Sequence, residues 1–327
     1  MKTPGFFWKK WHPVALLLSP LSLFMRLLVA VRRLLYHLHL RSVYRCSVPV
    51  IVIGNLTVGG TGKTPLVIWL CNHLKKLGYR PGVVLRGYGG AAKNWPQQVR
   101  ADSDPQIVGD EAVVIAAETD SPVCASPRRA EAVEALLKYA DCDVVISDDG
   151  LQHYALARDI EIVVIDGERR FGNGMLLPAG PLRESVKRLK AADFIIVNGN
   201  CSDTEHCMQQ MPGEVVNLMT GEARELVSWS GKRMHLVSGI GNPSRFIDMV
   251  RRAGIETQER LFPDHHLFSP QDLAFPDDLP ILVTAKDAVK IRPFADERFW
   301  YLKLRVKPSA NFIHQVVTAL IMKRNHG

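Results

Sequence analysis

The sequence predicts an α/β fold, a mostly parallel sheet with helices on both faces, and three observations carry that prediction. Short β-branched apolar runs at 50–53, 82–85, 143–147, 161–165 and 193–197 alternate with helical segments, the pattern of strands joined by crossover helices. A glycine-rich loop stands between the first run and the helix that follows it. Two adjacent carboxylates, Asp148 and Asp149, close a later run. Beyond a polar stretch at 199–213, expected to be a surface excursion or boundary, strand-like runs recur at 234–238, 281–284 and 299–304. With helical patterns at 244–252 and 310–323 they predict a smaller C-terminal α/β domain. The expected division is a hydrophobic, basic segment at 1–46, a core at 47–224, and a smaller domain at 225–327 that contributes to a cleft with the core.

The chain has 327 residues, 47% hydrophobic and 23% charged, which excludes a disordered protein and suits two domains. Its six cysteines contain no C-x-x-C pair, so a zinc ribbon is not expected and a reducing compartment is. The group Cys201, His206 and Cys207 fits no common metal spacing, and these thiols are expected to be buried or solvated.

Charge is unevenly distributed. Residues 1–101 hold fifteen Lys or Arg and no Asp or Glu, whereas the remainder is net acidic by seven charges. That asymmetry points to an anionic partner: nucleic acid, phospholipid headgroups or a phosphorylated substrate. Nucleic acid is not expected, because the basic residues sit on a Leu-rich helix without interleaved aromatic residues. From Trp11 to Met25 no residue is charged, but the apolar run is short for a bilayer span of about 20 residues and contains Pro20. Arg26, Arg33 and His37 then form a stripe opposite Leu, Val and Phe, with Trp8 and Trp11 flanking Lys9 and Lys10, as in a helix at a membrane interface. The competing expectation is a helix docked on the protein's own core.

The glycine loop gives the sharpest signal. After Val50-Ile51-Val52-Ile53 come Thr57, Val58, Gly59, Gly60, Thr61, Gly62, Lys63 and Thr64, followed by a helical pattern of Leu66, Val67, Leu70 and Leu74. Strand, loop and helix are the setting of a P-loop, whose amides cradle phosphates with the helix dipole behind them. The fold class is therefore P-loop NTPase-like. Thr57 stands where that motif's first glycine falls. Lys63 is expected to neutralise the β and γ phosphates of ATP, and Thr64, Asp148 and Asp149 to handle Mg²⁺. Asp166, closing the 161–165 run, is a weaker metal candidate on the adjacent strand.

Further motifs follow in order: Arg86-Gly87-Tyr88-Gly89, Gly109-Asp110-Glu111, Asp148-Asp149-Gly150-Leu151-Gln152-His153, Leu177-Pro178-Ala179-Gly180-Pro181-Leu182-Arg183-Glu184, Gly239-Ile240-Gly241-Asn242-Pro243, Asp264-His265-His266 and Thr284-Ala285-Lys286-Asp287. With the threonine-started loop, this series resembles the tetraacyldisaccharide 4'-kinase family over nearly the whole chain. Small departures are Ala285 where the family often has Glu and Ser185 where it often has Pro. The resemblance implies ATP- and Mg²⁺-dependent phosphorylation of the 4'-hydroxyl of a lipid disaccharide. It places the enzyme on the cytoplasmic face of a bacterial inner membrane, against an anionic surface. It also implies Asp110 as base toward the acceptor, assisted by His265, and Arg183 near the transferred phosphate, with Asp149 beside the nucleotide. Without it, Asp110 reads equally as a helix cap, His265 as a locally bonded loop residue and Arg183 as a surface arginine. The rival reading is a membrane-bound regulatory or assembly ATPase with no lipid acceptor.

Overall fold

A computed structural model describes residues 7–8 and 12–325. Trp11, Lys9 and Lys10 of the expected interfacial anchor lie outside the described residues. The chain opens with helices α1 (Pro13–Leu17) and α2 (Ser19–His37). The first half continues through β1 (Val50–Gly54), α3 (Lys63–Lys76), β2 (Pro81–Leu85), β3 (Gln97–Val99), α4 (Pro105–Val108), α5 (Asp110–Thr119) and β4 (Val123–Ala125). It ends with α6 (Arg129–Tyr139), β5 (Val144–Asp148), β6 (Ile160–Asp166) and β7 (Phe194–Asn198). The second half runs β8 (His206–Asn217), β9 (Ala223–Glu225), β10 (Arg233–Ser238), α7 (Ser244–Arg252) and β11 (Glu256–Leu261), then β12 (Ile281–Thr284), α8 (Ala285–Ile291), β13 (Phe299–Pro308) and α9 (Ala310–Asn325).

The five apolar runs of the first half form the parallel centre of the sheet, in the order β7-β6-β1-β5-β2. Alternation assigns their side chains to two layers. Ile51 and Ile53 pack with Leu66, Leu70 and Val113 of α3 and α5 on one face, while Val50 and Val52 pack with Val133 and Leu136 of α6 on the other. Strands β1, β2, β5 and β6 are buried throughout, which is why they read as continuous apolar runs. In the second half β11-β10-β12-β13 is again parallel, with α7 on one face and α8 on the other.

Two expectations are corrected. The polar stretch at 199–213 is not only an excursion, because residues 206–208 pair in parallel with β7 and residues 208–217 pair antiparallel with β13. Strand β8 thus joins both halves into one sheet; exposed Gln209 and half-exposed Gln210 hide its period. The helix α9 also crosses back, placing Phe312, Val316 and Leu320 in the first-half core. Secondly, Cys201 and Cys207 are not free thiols but a disulfide, their Cα atoms 5.9 Å apart. A turn in which the Glu205 amide donates to the Ser202 carbonyl folds the intervening residues back, and spacing alone does not reveal it.

No helix among the described residues is long and apolar enough to cross a membrane. Nor does α2 bury its leucines against the protein. Its only buried residue is Ser22, whose hydroxyl donates to the Leu176 carbonyl (2.7 Å) and accepts from the Ala179 amide (3.0 Å). Leu21, Leu23, Phe24, Leu27, Leu28 and Leu34 are all exposed, the reverse of a helix docked on a core.

Candidate active site

The carboxyl ends of the parallel strands converge on one edge, where open α/β sheets bind ligands. From β1 the chain turns through the glycine loop into α3. Gly59 and Gly62 have φ of +94° and +92°, open to glycine and strained for other residues. The loop is stitched to residues 181–183: the Val58 amide donates to the Pro181 carbonyl (2.9 Å), Thr57 bridges Leu182, and the Arg183 amide donates to the Leu56 carbonyl (2.7 Å). That stitching brings Arg183 to the loop.

Strand β5 lies beside β1 and delivers Asp148 and Asp149 to the same edge. Thr64 Oγ1 donates to Asp148 Oδ2 (3.2 Å), while Asp148 Oδ1 is buried with no hydrogen-bond partner. Burial, reinforced by Glu111 and Asp149, pushes the Asp148 carboxyl up to about 7. Asp149 differs. Burial opposes its ionisation, but Lys63 Nζ at 3.6 Å and Arg183 Nη1 at 2.8 Å overcome that and hold it at about 2. A hydroxyl and a carboxylate with a spare buried oxygen are the hard donors that magnesium takes. No cluster of three or more His, Cys, Asp or Glu able to hold a metal exists among the described residues. The Thr64 hydroxyl and the unpartnered Asp148 oxygen suit a cation bound through few protein ligands and completed by phosphate, as Mg²⁺ is.

Asp110 opens α5 and is buried. Its Oδ1 accepts the Glu111 amide (2.8 Å) and its Oδ2 lies 3.2 Å from Nδ1 of His265. His265 arrives from the loop after β11 with φ of +59°, its amide bonded to the Gly239 carbonyl (3.1 Å). The Gly239 amide in turn donates to Asp287 Oδ2 (3.0 Å), which also accepts Thr284 Oγ1 (2.7 Å). The Thr284–Asp287 motif thus anchors the loop that carries the histidine. The Asp110 hydrogen bond raises the His265 pKa against the effect of burial. Burial raises that of Asp110, yet His265 and Lys286 bring it below the ordinary carboxylate value. Tyr88 covers the pair, its ring 5.2 Å from that of His265, whereas Arg86 is exposed.

Neighbouring residues take other parts. His266 bonds Asp272 (3.2 Å), and the Asp264 carboxylate lies 3.9 Å from His265 Nε2. Asp166 is engaged by Arg169 and Arg245. Sequence reasoning missed Arg129, which is buried and donates to the Asp148 carbonyl (2.9 Å). Nothing in the sequence separates it from exposed Arg128 beside it. It also left Glu111 and Lys286 without roles, though they pair across the two halves and Glu111 sits close enough to raise Asp148.

A glycine loop ending in Lys63, two carboxylates of opposite protonation tendency and a buried Asp110 paired with half-buried His265 suit the phosphoryl-transferring enzymes, the kinases. The family model for tetraacyldisaccharide-1-P 4'-kinase matches residues 14–321, and the chain belongs to that family. A tetraacyldisaccharide 4'-kinase from Nitrosococcus oceani is 48% identical over 314 residues, covering 96% of this chain and 93% of the relative. One from Haemophilus influenzae is 46% identical, covering 90% of each. The crystal structure of the "apo" form of LpxK from Aquifex aeolicus in complex with ATP is similar with a TM-score of 0.79 and 26% identity, covering 95% of this chain and 99% of that one.

Proposed function

We propose that the chain phosphorylates the 4'-hydroxyl of a tetraacylated, 1-phosphorylated disaccharide from ATP, giving a lipid A precursor, with the residues above in the following roles. The loop of residues 57–62 cradles the triphosphate with its free amides, the Val58 amide being held by the Pro181 carbonyl, and Lys63 neutralises the β and γ phosphates. Thr64 and Asp148, with Asp149 adjoining, hold magnesium, which when bound neutralises charge on the phosphate oxygens. Asp110 accepts the proton of the 4'-hydroxyl as that oxygen bonds to the γ phosphorus. The bond from phosphorus to the bridging β–γ oxygen breaks, and ADP leaves with its electron pair. His265 orients Asp110 and keeps it ionised. Arg183 spreads charge on the transferred group.

The Asp110–His265 contact carries this reading, since it couples a carboxylate of the first half to a loop of the second, in the cleft expected between 47–224 and 225–327. A regulatory ATPase has no use for such a base. The exposed apolar face of α2, with Arg26, Arg32 and Arg33 along it, supports contact with an anionic leaflet, the cytoplasmic face of the inner membrane, from which an acylated substrate does not leave cheaply.

The test supplies labelled ATP with the disaccharide lipid to wild type, Asp110→Ala, His265→Ala and Lys63→Ala. Transfer to lipid by wild type and its collapse in Asp110→Ala is the expected result. Acceptor-independent phosphate release, equal in wild type and Asp110→Ala, leaves only the ATPase reading.

A further inference from the structure

Two side chains outside the roles above hold the glycine loop by its carbonyls. Arg169 Nη2 donates to the Gly60 carbonyl (2.5 Å) and Asn198 Nδ2 to the Thr61 carbonyl (3.0 Å). They come from adjacent strands: Arg169 follows β6 and Asn198 closes β7. Each is itself fixed. Arg169 sets Nε and Nη2 on Asp166 Oδ2 (3.1 and 2.9 Å), and the buried Asp166 also receives Arg245 Nη2 from α7 (3.0 Å). Asn198 is buried and fits only because Gly62 has no side chain, since a Cβ there would lie 2.5 Å from Nδ2. A Cβ on Gly59 would likewise come within 3.1 Å of Arg169 Nη1.

A trans peptide is planar, so its carbonyl and the following N–H point in opposite directions. Holding the Gly60 oxygen fixes the Thr61 amide; holding the Thr61 oxygen fixes the Gly62 amide. Neither amide has an acceptor among the described residues. In a loop this rich in glycine, rotation of a peptide is otherwise cheap, and a flipped one turns a carbonyl oxygen toward the phosphates.

We propose that Arg169 and Asn198 are positioning residues for nucleotide binding: they lock two successive peptides so that the Thr61 and Gly62 amides face the phosphates, with Asp166 anchoring Arg169. This inference rests on the phosphate-loop reading given above. It uses the full-length chain, with ATP and magnesium in a binding titration and in the transfer assay. Arg169→Ala and Asn198→Ala should each weaken ATP binding and raise KM for ATP by roughly tenfold to a hundredfold, the effect of losing one hydrogen bond that orders charge-binding donors. KM for the lipid acceptor should not move. Arg169→Lys should recover part of the affinity, since an ammonium reaches the carbonyl but cannot also fork onto Asp166.

Arg169 is partly exposed, so its variants keep the test open if Asn198→Ala does not fold. Unchanged ATP affinity in Arg169→Ala, with or without a lowered Tm, overturns the proposal. Lys63→Ala separates the two readings. If it weakens ATP binding while Arg169→Ala does not, only the brace is wrong. If it too binds ATP as wild type does, the phosphate-loop reading falls and the brace with it.

Discussion

His265 Nδ1 lies 3.2 Å from Asp110 Oδ2, although 155 residues separate the two. One group is lowered and the other raised by the same contact, so the pair favours carboxylate facing imidazolium. Removing the histidine takes away the largest influence holding Asp110 down and leaves burial to raise it. In His265→Ala the acid limb of the pH profile of kcat/KM should therefore move to higher pH, with kcat reduced by about 10²-fold or more. A profile that falls in height without moving would assign His265 to substrate contact and not to tuning the base.

The same pair sets a pH window for stability. Asp110 is depressed, so its contribution is present above the unfolded carboxylate value and lost as pH falls through the folded one. His265 is raised, so its contribution is complete below its unfolded value and lost as pH rises through the folded one. The difference in Tm between wild type and His265→Ala should be greatest between about pH 4 and 6.5, the two unfolded values, and shrink on either side. A difference that does not vary with pH would mean the contact carries no charge.

Arg183 and Lys63 share Asp149, and together they account for a partly exposed carboxylate held at about 2. In the role proposed for it, the Arg183 guanidinium should matter mainly in the transition state. Arg183→Ala is expected to cost roughly 10²- to 10³-fold in kcat, in line with loss of one charge-stabilising donor. Single-turnover measurements at saturating ATP check this; a change confined to KM for ATP would make Arg183 a nucleotide-binding residue only.

The role proposed for Asp148 sets function against stability. Its carboxyl is raised to about 7 by burial and by Glu111, and one oxygen lacks a partner. A raised acid binds its proton more tightly when folded, so the penalty grows as pH climbs from the unfolded value through about 7. Asp148→Asn removes that penalty. The variant, measured without nucleotide, should melt roughly 2 °C or more above wild type at pH 8, with the gap closing toward pH 5, while phosphoryl transfer is lost. Equal melting temperatures at both pH values would show that the carboxylate is solvated or paired.

The parallel centre was legible because strands buried on both faces read as unbroken apolar runs, and β1, β5 and β6 fell within a residue or two of where the pattern put them. Lys63, Thr64 and the carboxylate pair were legible because loop, strand end and helix start are contiguous in sequence. Asp110 and His265 were not, without the family resemblance, since each alone reads as a cap or a loop residue. What stayed hidden depends on contacts between distant segments. Arg169 and Asn198 reach loop carbonyls 109 and 137 residues away, Arg129 disappears beneath β5, and β8 changes partners midway along a polar strand.

On α2 the residue buried is a serine and those exposed are leucines, so the helix presents an apolar surface while Arg26, Arg32 and Arg33 remain in solvent. An anionic bilayer offers both a hydrocarbon boundary for the leucines and phosphates for the arginines. Binding to vesicles containing anionic phospholipid should fall about tenfold or more for each of Leu23→Glu and Leu27→Glu, since a fully buried leucine is worth about 1.5–3 kcal/mol. Added salt should weaken wild-type binding without abolishing it, because only the arginine share is screened. Both substitutions lie on exposed positions, so Tm should hold and transfer to a detergent-dispersed acceptor should be kept. Undiminished sedimentation of both variants with vesicles would assign this face to a protein partner or to another copy of the chain.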